Sequence, residues 1–321
     1  MTTVAVIGSG AVGCYYGARL ARSGVDVRFL MRRDLDAVRA RGLDIRSCDG
    51  DFVLDPVSAF ATPEEIGPVD WVICSLKSTT LTDAERLLRP CVGPNTRIVA
   101  LMNGLGVEET VAAWFGRERV FGAMAFVCIN RGEPGMVHHL RYGRLSIGHL
   151  LDDAAEVAAL ESLLAGAGLE VVAAPNLRFA RWEKLCWNIP FNGLSVAGGG
   201  IGTKAICSHP PLRGLAERTM REVVTAGNAD LAALGSVVRL DADEVVTRMF
   251  ALTDTMGDYR TSMVLDYVSR AELEVEAILG EPMRRAQALG LDVPAMSALY
   301  ALVHAADRRN RGLMPVVTVD D

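Results

Sequence analysis

Lysine is scarce in this chain of 321 residues, in which Lys77, Lys184 and Lys204 are the three lysines among 33 basic residues. All the other basic residues are arginine, and a compositional bias of the coding genome is enough to account for that. Arginine keeps its proton at neutral pH, whereas a lysine ammonium can give its proton up. A lysine that remains in such a chain is therefore a candidate for chemistry that arginine could not perform.

Long apolar runs, basic tracts and paired cysteines are also absent from the sequence. No apolar run reaches the ~20 residues that a membrane-spanning helix needs. The net charge of −6 and the pI near 5.5 argue against a nucleic-acid partner. The seven cysteines are odd in number and show no CxxC spacing, which argues against a disulfide framework. A strand pattern stands where a signal peptide would begin, so these absences predict a cytoplasmic protein with reduced thiols and no membrane partner.

The histidines show no metal-ligand spacing. The chain has five of them, and the adjacent pair His138 and His139 would face opposite sides of a strand. The sequence therefore predicts no metal site and no metal-assisted catalysis.

A strand followed directly by a glycine turn opens the chain. The β-branched run Thr3–Ile7 predicts a buried strand, and a helical pattern begins after the turn. This is the context that the dinucleotide-binding fingerprint G-x-G-x-x-G requires, since the glycines permit a tight turn, a close approach of the pyrophosphate and close helix–strand packing. The predicted cofactor-binding residues of this turn are Gly8, Ser9, Gly10, Ala11, Val12 and Gly13.

Arg32 follows the second predicted strand, at the position where NAD-binding proteins carry an acidic residue for the ribose hydroxyls. An arginine there suits a 2′-phosphate through charge-assisted hydrogen bonds, so the sequence favours NADP over NAD. The alternative is that Arg32 only begins a solvated helix.

The hydrophobic pattern changes along the chain and predicts two domains. Strand candidates at 25–30, 71–74 and 97–101 alternate with helical patterns, as in a parallel, doubly wound sheet. This part closes with two longer strands, a helix and a short strand, at 120–130, 135–148, 153–166 and 170–173. Helical patterns then follow at 178–196, 211–234, 241–252, 261–289 and 294–306. We therefore predict a Rossmann-like α/β domain over 1–174 and an all-α domain over 175–321.

One predicted helix carries a polar stripe on an otherwise apolar surface. Lys184, Asn188 and Asn192 follow each other at intervals of four residues and so share one helix face. One amine and two amides would be a sensible lining for a binding site. The alternative, a solvated polar stripe, usually consists of glutamate and lysine.

Asn103 and Lys77 come just after predicted parallel strands, where ligands of doubly wound sheets gather. Asn103 precedes Gly104, and because Asn-Gly is a favoured turn dipeptide, a purely structural role stays open. Ser262 and Glu274 fall in the helical pattern 261–289, about 3.3 turns apart. Glu272 and Glu276 flank Glu274 at alternate positions, and the pattern alone does not say which glutamate enters a site.

In this order, the motifs resemble those of the ketopantoate reductase (2-dehydropantoate 2-reductase) family over essentially the whole chain. The resemblance implies that a Rossmann domain binds NADPH/NADP+ and that a helical domain closes over a small-molecule 2-oxo acid. Lys184 would be the general acid, and Glu274 would hold the substrate hydroxyl and help to orient Lys184. The cofactor-lining residues would include Arg32, Lys77 and Asn103 besides the glycine turn. The implied substrate-binding residues are Asn103, Lys184, Asn188, Asn192, Ser262 and Glu274.

Two departures from the family pattern leave the substrate open. Tyr259 stands where ketopantoate-reducing enzymes tend to have an asparagine, and the stretch Gly198–Lys204 is unusually rich in glycine. Reduction of a different 2-oxo acid on the same scaffold is therefore an alternative. A non-catalytic NADP-binding sensor is a second alternative, since fold does not fix function. A homodimer formed through the helical domain also stays open.

Overall fold

The computed structural model describes residues 1–315, and its internal contacts divide the chain into two compact units. The first unit comprises Met1–Met102 and Val107–Ala180. The second comprises Asn103–Gly106 and the chain from Arg181 onward. Residues 316–321, which the predicted second domain includes, lie outside the described residues.

This division differs in two places from the predicted boundary at 174/175. It falls inside the helix Leu177–Ala197, because the first turn of that helix packs on the sheet of the first unit. A Cβ added to Gly148 would lie only 2.9 Å from the Leu177 Cβ. The second difference is the segment Asn103–Gly106, which belongs with the helical unit and carries Asn103 there.

The first unit is built on one mostly parallel ten-stranded sheet. Its strands run in the order β4-β3-β9-β8-β7-β6-β1-β2-β5, with β10 paired to β9. The pairs β3–β4 and β8–β9 are antiparallel and the other seven are parallel. The strands are β1 (Thr3–Ile7), β2 (Asp26–Leu30), β3 (Leu43–Ser47), β4 (Phe52–Leu54), β5 (Ser58–Phe60), β6 (Val69–Cys74), β7 (Val92–Ala100), β8 (Val120–Arg131), β9 (Met136–His149) and β10 (Val171–Ala173).

Alternation along the strands produces a hydrophobic core on each face of this sheet. In β1, Val4 and Val6 join one buried cluster, whereas Ala5 and Ile7 join the other. A central strand with both faces covered must be apolar throughout, which is why the first strand reads as an uninterrupted apolar run. The helices of this unit are α1 (Ala11–Arg22), α2 (Leu35–Arg41), α3 (Pro63–Ile66), α4 (Leu81–Leu88), α5 (Val107–Phe115) and α6 (Ala154–Ala165).

The second unit is helical over its described residues, and so the predicted combination of a Rossmann-like α/β domain with an all-α domain is confirmed. Helix α7 (Leu177–Ala197) crosses from one unit into the other. The remaining helices are α8 (Thr203–Ser208), α9 (Pro210–Ala233), α10 (Ala242–Asp254), α11 (Ser262–Val268), the π-helical segment Glu276–Gly280, α12 (Glu281–Ala288) and α13 (Pro294–Asn310).

The single helix predicted over 261–289 is wrong, because the chain leaves the helix after Val268. Arg270 has φ +58°, and the Ala271 amide donates to the Asp266 carbonyl, which closes α11 in the manner of a Schellman cap. Glycine usually occupies the left-handed position of this cap, and here arginine does, so the sequence carried no stop signal. Ser262 and Glu274 therefore do not lie on one helix.

No helix within residues 1–315 is long and apolar enough to cross a membrane.

Candidate active site

The glycine turn after β1 has the conformation that its sequence requires. Gly8 has φ +106°, and a Cβ there would approach the Leu76 amide nitrogen to 2.5 Å. The Ser75 hydroxyl donates to the Gly8 carbonyl at 2.8 Å and fixes the turn against the end of β6. Around Gly10, by contrast, the nearest atom to an added Cβ would be 4.0 Å away, and this residue caps α1 without a side-chain bond. The turn is thus tightly packed at Gly8 and leaves space beside Gly10 at the start of α1. Helix N-termini with free amides are common binding sites for phosphate groups.

Three cofactor-site candidates lie at one edge of the sheet. The glycine turn follows β1, Arg32 follows β2 and Lys77 follows β6, and these parallel strands are neighbours. Arg32 and Lys77 are both exposed. Asp34, two residues beyond Arg32, is buried and is held by the Arg131 guanidinium and the Gly135 amide.

The polar stripe of α7 lies on a buried face. Asn188 is 5% exposed and Asn192 is 2% exposed, while Lys184 is partly buried. The interpretation of this stripe as a solvated surface is therefore wrong. The Asn192 side-chain oxygen accepts a bond of 3.4 Å from the Met263 amide at the start of α11. Ser262, the residue before Met263, is the first residue of α11 and is exposed to solvent.

Of the three alternating glutamates, Glu274 is the buried one. It is 7% exposed, whereas Glu272 pairs with Arg311 at 2.8 Å and Glu276 pairs with Arg284 at 2.7 Å, both on the surface. The backbone just before Glu274 is anchored by the buried Asp307, which accepts a 3.0 Å bond from the Leu273 amide.

Lys184 has an unusually acidic ammonium group. Its pKa is lowered from 10.5 to about 7, mainly by burial and next by the positive charge of Arg181, while the carboxylate of Glu274 acts in the opposite direction. Arg181 is itself buried, three residues before Lys184 on α7. An ammonium with a pKa near neutrality can hold a proton and deliver it at physiological pH.

Asn103 lies in the short segment Asn103–Gly106, which belongs to the same unit as Lys184 and Glu274. Gly104 has φ +94°, and a Cβ there would lie 2.5 Å from the Cβ of Ala277. The Leu105 amide donates to the Ala277 carbonyl at 2.9 Å. Ala277 follows Glu274 by three residues, so this close contact holds Asn103 beside the segment that carries the buried glutamate.

Two buried polar residues of α7, Arg181 and Ser195, were not among the candidates that the sequence suggested. Ser195 is fully buried, and its hydroxyl has no hydrogen-bond partner among the described residues. It continues the stripe of Lys184, Asn188 and Asn192 by three further residues, a spacing that helical periodicity could have revealed. Arg181 lies one turn before the stripe, where a buried arginine could not be distinguished from a surface one.

Comparison with known proteins gives matches along both parts of the chain. The family model described as ketopantoate reductase PanE/ApbA matches residues 4–152, and its C-terminal counterpart matches residues 176–307. A 2-dehydropantoate 2-reductase from Nostoc sp. is 36% identical over 313 residues, which cover 96% of each chain. The crystal structure of 2-dehydropantoate 2-reductase from Geobacter metallireducens has a TM-score of 0.91 at 41% identity, covering 95% of this chain and 99% of that one. The enzyme of the same name from Methylococcus capsulatus has a TM-score of 0.85 at 33% identity, covering 96% and 97%.

Proposed function

This chain belongs to the ketopantoate reductase family, and on that premise we propose that it reduces 2-dehydropantoate to pantoate with NADPH as the hydride donor. The chain is an oxidoreductase that acts on a CH–OH/C=O pair. The observation that carries the proposal is the Lys184 ammonium, with a pKa of about 7 and the buried Glu274 carboxylate acting on it.

The described residues fit a nicotinamide dinucleotide at the glycine turn. The open space over Gly10 and the uncapped first turn of α1 suit a diphosphate. The exposed guanidinium of Arg32 suits a 2′-phosphate, since an arginine can bind phosphate with two parallel charge-assisted bonds. Lys77 would add a second cation at the same edge of the sheet. When bound, such a cofactor supplies the hydride for C2 of the oxo acid.

Lys184 would neutralise the negative charge that develops on the substrate oxygen. Its ammonium stabilises the growing alkoxide and then transfers a proton to it, which leaves a hydroxyl group. Glu274 opposes the loss of the Lys184 proton before reaction and would accept a bond from the substrate's own hydroxyl. A positioned general acid of this kind contributes ~10²–10⁴ to the rate.

Amides and a hydroxyl would hold the 2-oxo acid in place. Asn188 and Asn192 offer donors on the buried face of α7, and Asn103 offers another from the segment held against Ala277. The exposed hydroxyl of Ser262 suits the substrate carboxylate. Buried donors discriminate strongly, because a ligand that cannot pair with them leaves them unsatisfied.

A different 2-oxo acid is a second candidate substrate, because the two departures from the family pattern form one structural feature. The Thr203 amide donates to the Tyr259 carbonyl at 2.9 Å, and the Thr203 hydroxyl donates to the Gly257 carbonyl at 3.1 Å. The Tyr259 ring lies 6.3 Å from that of Trp187, which directly precedes Asn188 on α7. The glycine-rich stretch and the Tyr259 segment are thus held together by hydrogen bonds, so both departures would act on the same part of a bound substrate.

The test is a panel of 2-oxo acids of increasing bulk, followed through the loss of reduced-nicotinamide absorbance and identification of the 2-hydroxy acid formed. Highest kcat/KM with 2-dehydropantoate supports the proposal. A better substrate elsewhere in the panel replaces 2-dehydropantoate and keeps the reaction type. Failure of the folded, cofactor-binding chain to reduce any member contradicts the proposal. Sedimentation of the same preparation tests whether the chain forms a homodimer.

A further inference from the structure

Away from the candidate active site, the first unit brings Cys48, Asp49 and His139 together, and we propose that this Cys48 cluster binds one zinc ion. One donor atom from each residue lies within 4.8 Å of the others. Thiolate sulfur, imidazole nitrogen and carboxylate oxygen are the three donor types that zinc takes from proteins. The sequence predicted no metal site, because Cys48 and His139 are 91 residues apart and only the strand pairing brings them together.

Parallel pairing of β3 with β9 places the thiol beside the imidazole. Ser47 is in register with His139, and the Cys48 amide donates to the His139 carbonyl at 3.1 Å. The chain then turns, and the Gly50 amide donates to the Ser47 carbonyl at 2.9 Å. Cys48 and Asp49 are therefore the two central residues of a tight turn, and the backbone fixes both against the buried histidine.

The imidazole of His139 is held in the tautomer that a metal requires. Its Nε2 lies 2.6 Å from the Tyr142 carbonyl oxygen, and since that oxygen can only accept, Nε2 carries the proton. In the neutral ring, Nδ1 then has a lone pair, which faces the turn. Metal-binding histidines commonly donate their second ring N–H to a backbone carbonyl in this way.

The Tyr142 carbonyl lies in a part of β9 that has two irregularities in its pairing with β8 and an unusual backbone angle. The pairing register shifts between Phe126 and Val127 of β8 and again between Cys128 and Ile129. Tyr142 of β9 pairs with Val127, between these two shifts, so β9 bulges on both sides of it. Tyr142 itself has φ +64°, a left-handed conformation that is uncommon for a bulky residue. In this locally distorted part of β9, the Tyr142 carbonyl meets Nε2 of His139 three residues away.

The distances within the Cys48 cluster are close to those around a tetrahedral zinc ion. Cys48 Sγ lies 3.7 Å from His139 Nδ1 and 3.7 Å from Asp49 Oδ1, and Asp49 Oδ2 lies 3.9 Å from His139 Nδ1. Zinc bonds of ~2.3 Å to sulfur and ~2.0–2.2 Å to nitrogen and oxygen place such ligand pairs roughly 3.4–3.6 Å apart. The Cys48 and His139 donors are therefore within a few tenths of an ångström of their zinc-bound spacing. The two oxygens of Asp49 face one of these donors each, so a rotation of the carboxylate would bring one oxygen to the metal as a third ligand and leave a fourth position for water.

Two neighbouring groups compete with the metal. The Ser47 hydroxyl lies 2.8 Å from His139 Nδ1 and also accepts a 3.1 Å bond from the Asp49 amide. The Arg19 guanidinium lies 3.9 Å from Asp49 Oδ2. Zinc would displace the serine proton from Nδ1, so removing that hydroxyl should preserve or strengthen binding.

The experiment titrates zinc chloride into the full-length chain after treatment with a chelator, with binding measured by calorimetry. The expected result is one zinc ion per chain. Cys48→Ser and Asp49→Asn change exposed residues and should each weaken binding by ~100-fold or more, since changes even in outer-shell partners cost 10–100-fold. His138→Gln and Cys207→Ser are the matched controls and should bind zinc as the wild type does, and Ser47→Ala should bind at least as tightly.

Cobalt(II) gives a readout that does not depend on any variant, because cysteine ligation produces a sulfur-to-metal charge-transfer band. The band should appear with the wild-type chain and disappear in Cys48→Ser. An absent band, no binding of zinc, or equal binding by wild type and Cys48→Ser would each overturn the proposal, the last of these marking an adventitious ion only. The 2-oxo acid panel tests the reductase proposal separately, so either proposal can fail alone.

Discussion

Arg181 precedes Lys184 by three residues on α7, and its positive charge acts with burial to lower the pKa of the Lys184 ammonium to about 7. The carboxylate of Glu274 opposes both effects. Burial, together with two charged side chains of opposite sign, thus sets the proton affinity of the group that we propose as the general acid. The direction of each cause determines the direction of the change that we expect in the first three predictions.

The rate of reduction should fall as pH rises through about 7, because Lys184 must hold its proton to deliver it. Arg181→Met removes a like charge and should move the midpoint of the kcat/KM profile upward. Arg181→Lys keeps the charge and should leave the midpoint near that of the wild type, as should Arg218→Met on the exposed side of α9. An unchanged midpoint in Arg181→Met would show that its charge does not act on the catalytic proton.

Glu274→Gln should slow reduction and shift the same midpoint downward, because it removes the carboxylate that favours the protonated ammonium. We expect a loss on the order of 10²-fold in kcat, at the lower end of what general acid catalysis contributes. Glu272→Gln is the matched control, since Glu272 is exposed and pairs with Arg311. Equal rates for the two variants would remove Glu274 from the mechanism.

The stability of the wild type should increase with pH relative to Lys184→Met. The folded pKa of Lys184 lies below its ordinary value, so the unfolded chain binds more protons between about pH 7 and 10.5. Folding therefore becomes more favourable across that window, by at most ~1.4 kcal/mol per pH unit, and the contribution is flat below it. Urea unfolding of both proteins at about pH 6 and about pH 9 measures the difference. Parallel changes in the two proteins would contradict a depressed pKa.

Arg32→Ala should raise the KM for NADPH and leave that for NADH nearly unchanged. A charge-assisted hydrogen bond contributes ~1.5–3 kcal/mol, which corresponds to a loss of roughly 10–150-fold. Arg117→Ala, an exposed arginine in a surface turn, serves as the matched control. Equal effects on the two cofactors would mean that Arg32 does not recognise the 2′-phosphate.

Sequence periodicity predicted the elements in which one physical signal dominates. The buried strand β1 and the glycine turn appear as predicted, because a strand covered on both faces is apolar throughout and a tight turn needs glycine. The shared face of Lys184, Asn188 and Asn192 follows directly from helix geometry.

The features that the sequence did not show depend on tertiary contacts. Arg270 ends α11 in a left-handed conformation without a glycine, so the break before Glu274 had no local signature. The burial that selects Glu274 over its neighbours comes from the packing around it, and the position of Asn103 comes from the contact of Gly104 with Ala277. The pKa of Lys184 depends on burial and on Arg181, neither of which spacing can reveal.

The most direct test of the account is the rate of NADPH oxidation with 2-dehydropantoate by the wild type, Lys184→Ala and Lys204→Ala. Lys204 is exposed on α8 and serves as the matched control for loss of a lysine. The account predicts that Lys184→Ala loses ~10²–10⁴ in kcat while Lys204→Ala keeps the wild-type rate. A Lys184→Ala protein that binds NADPH and turns over as fast as the wild type would contradict the assignment of Lys184 as the general acid.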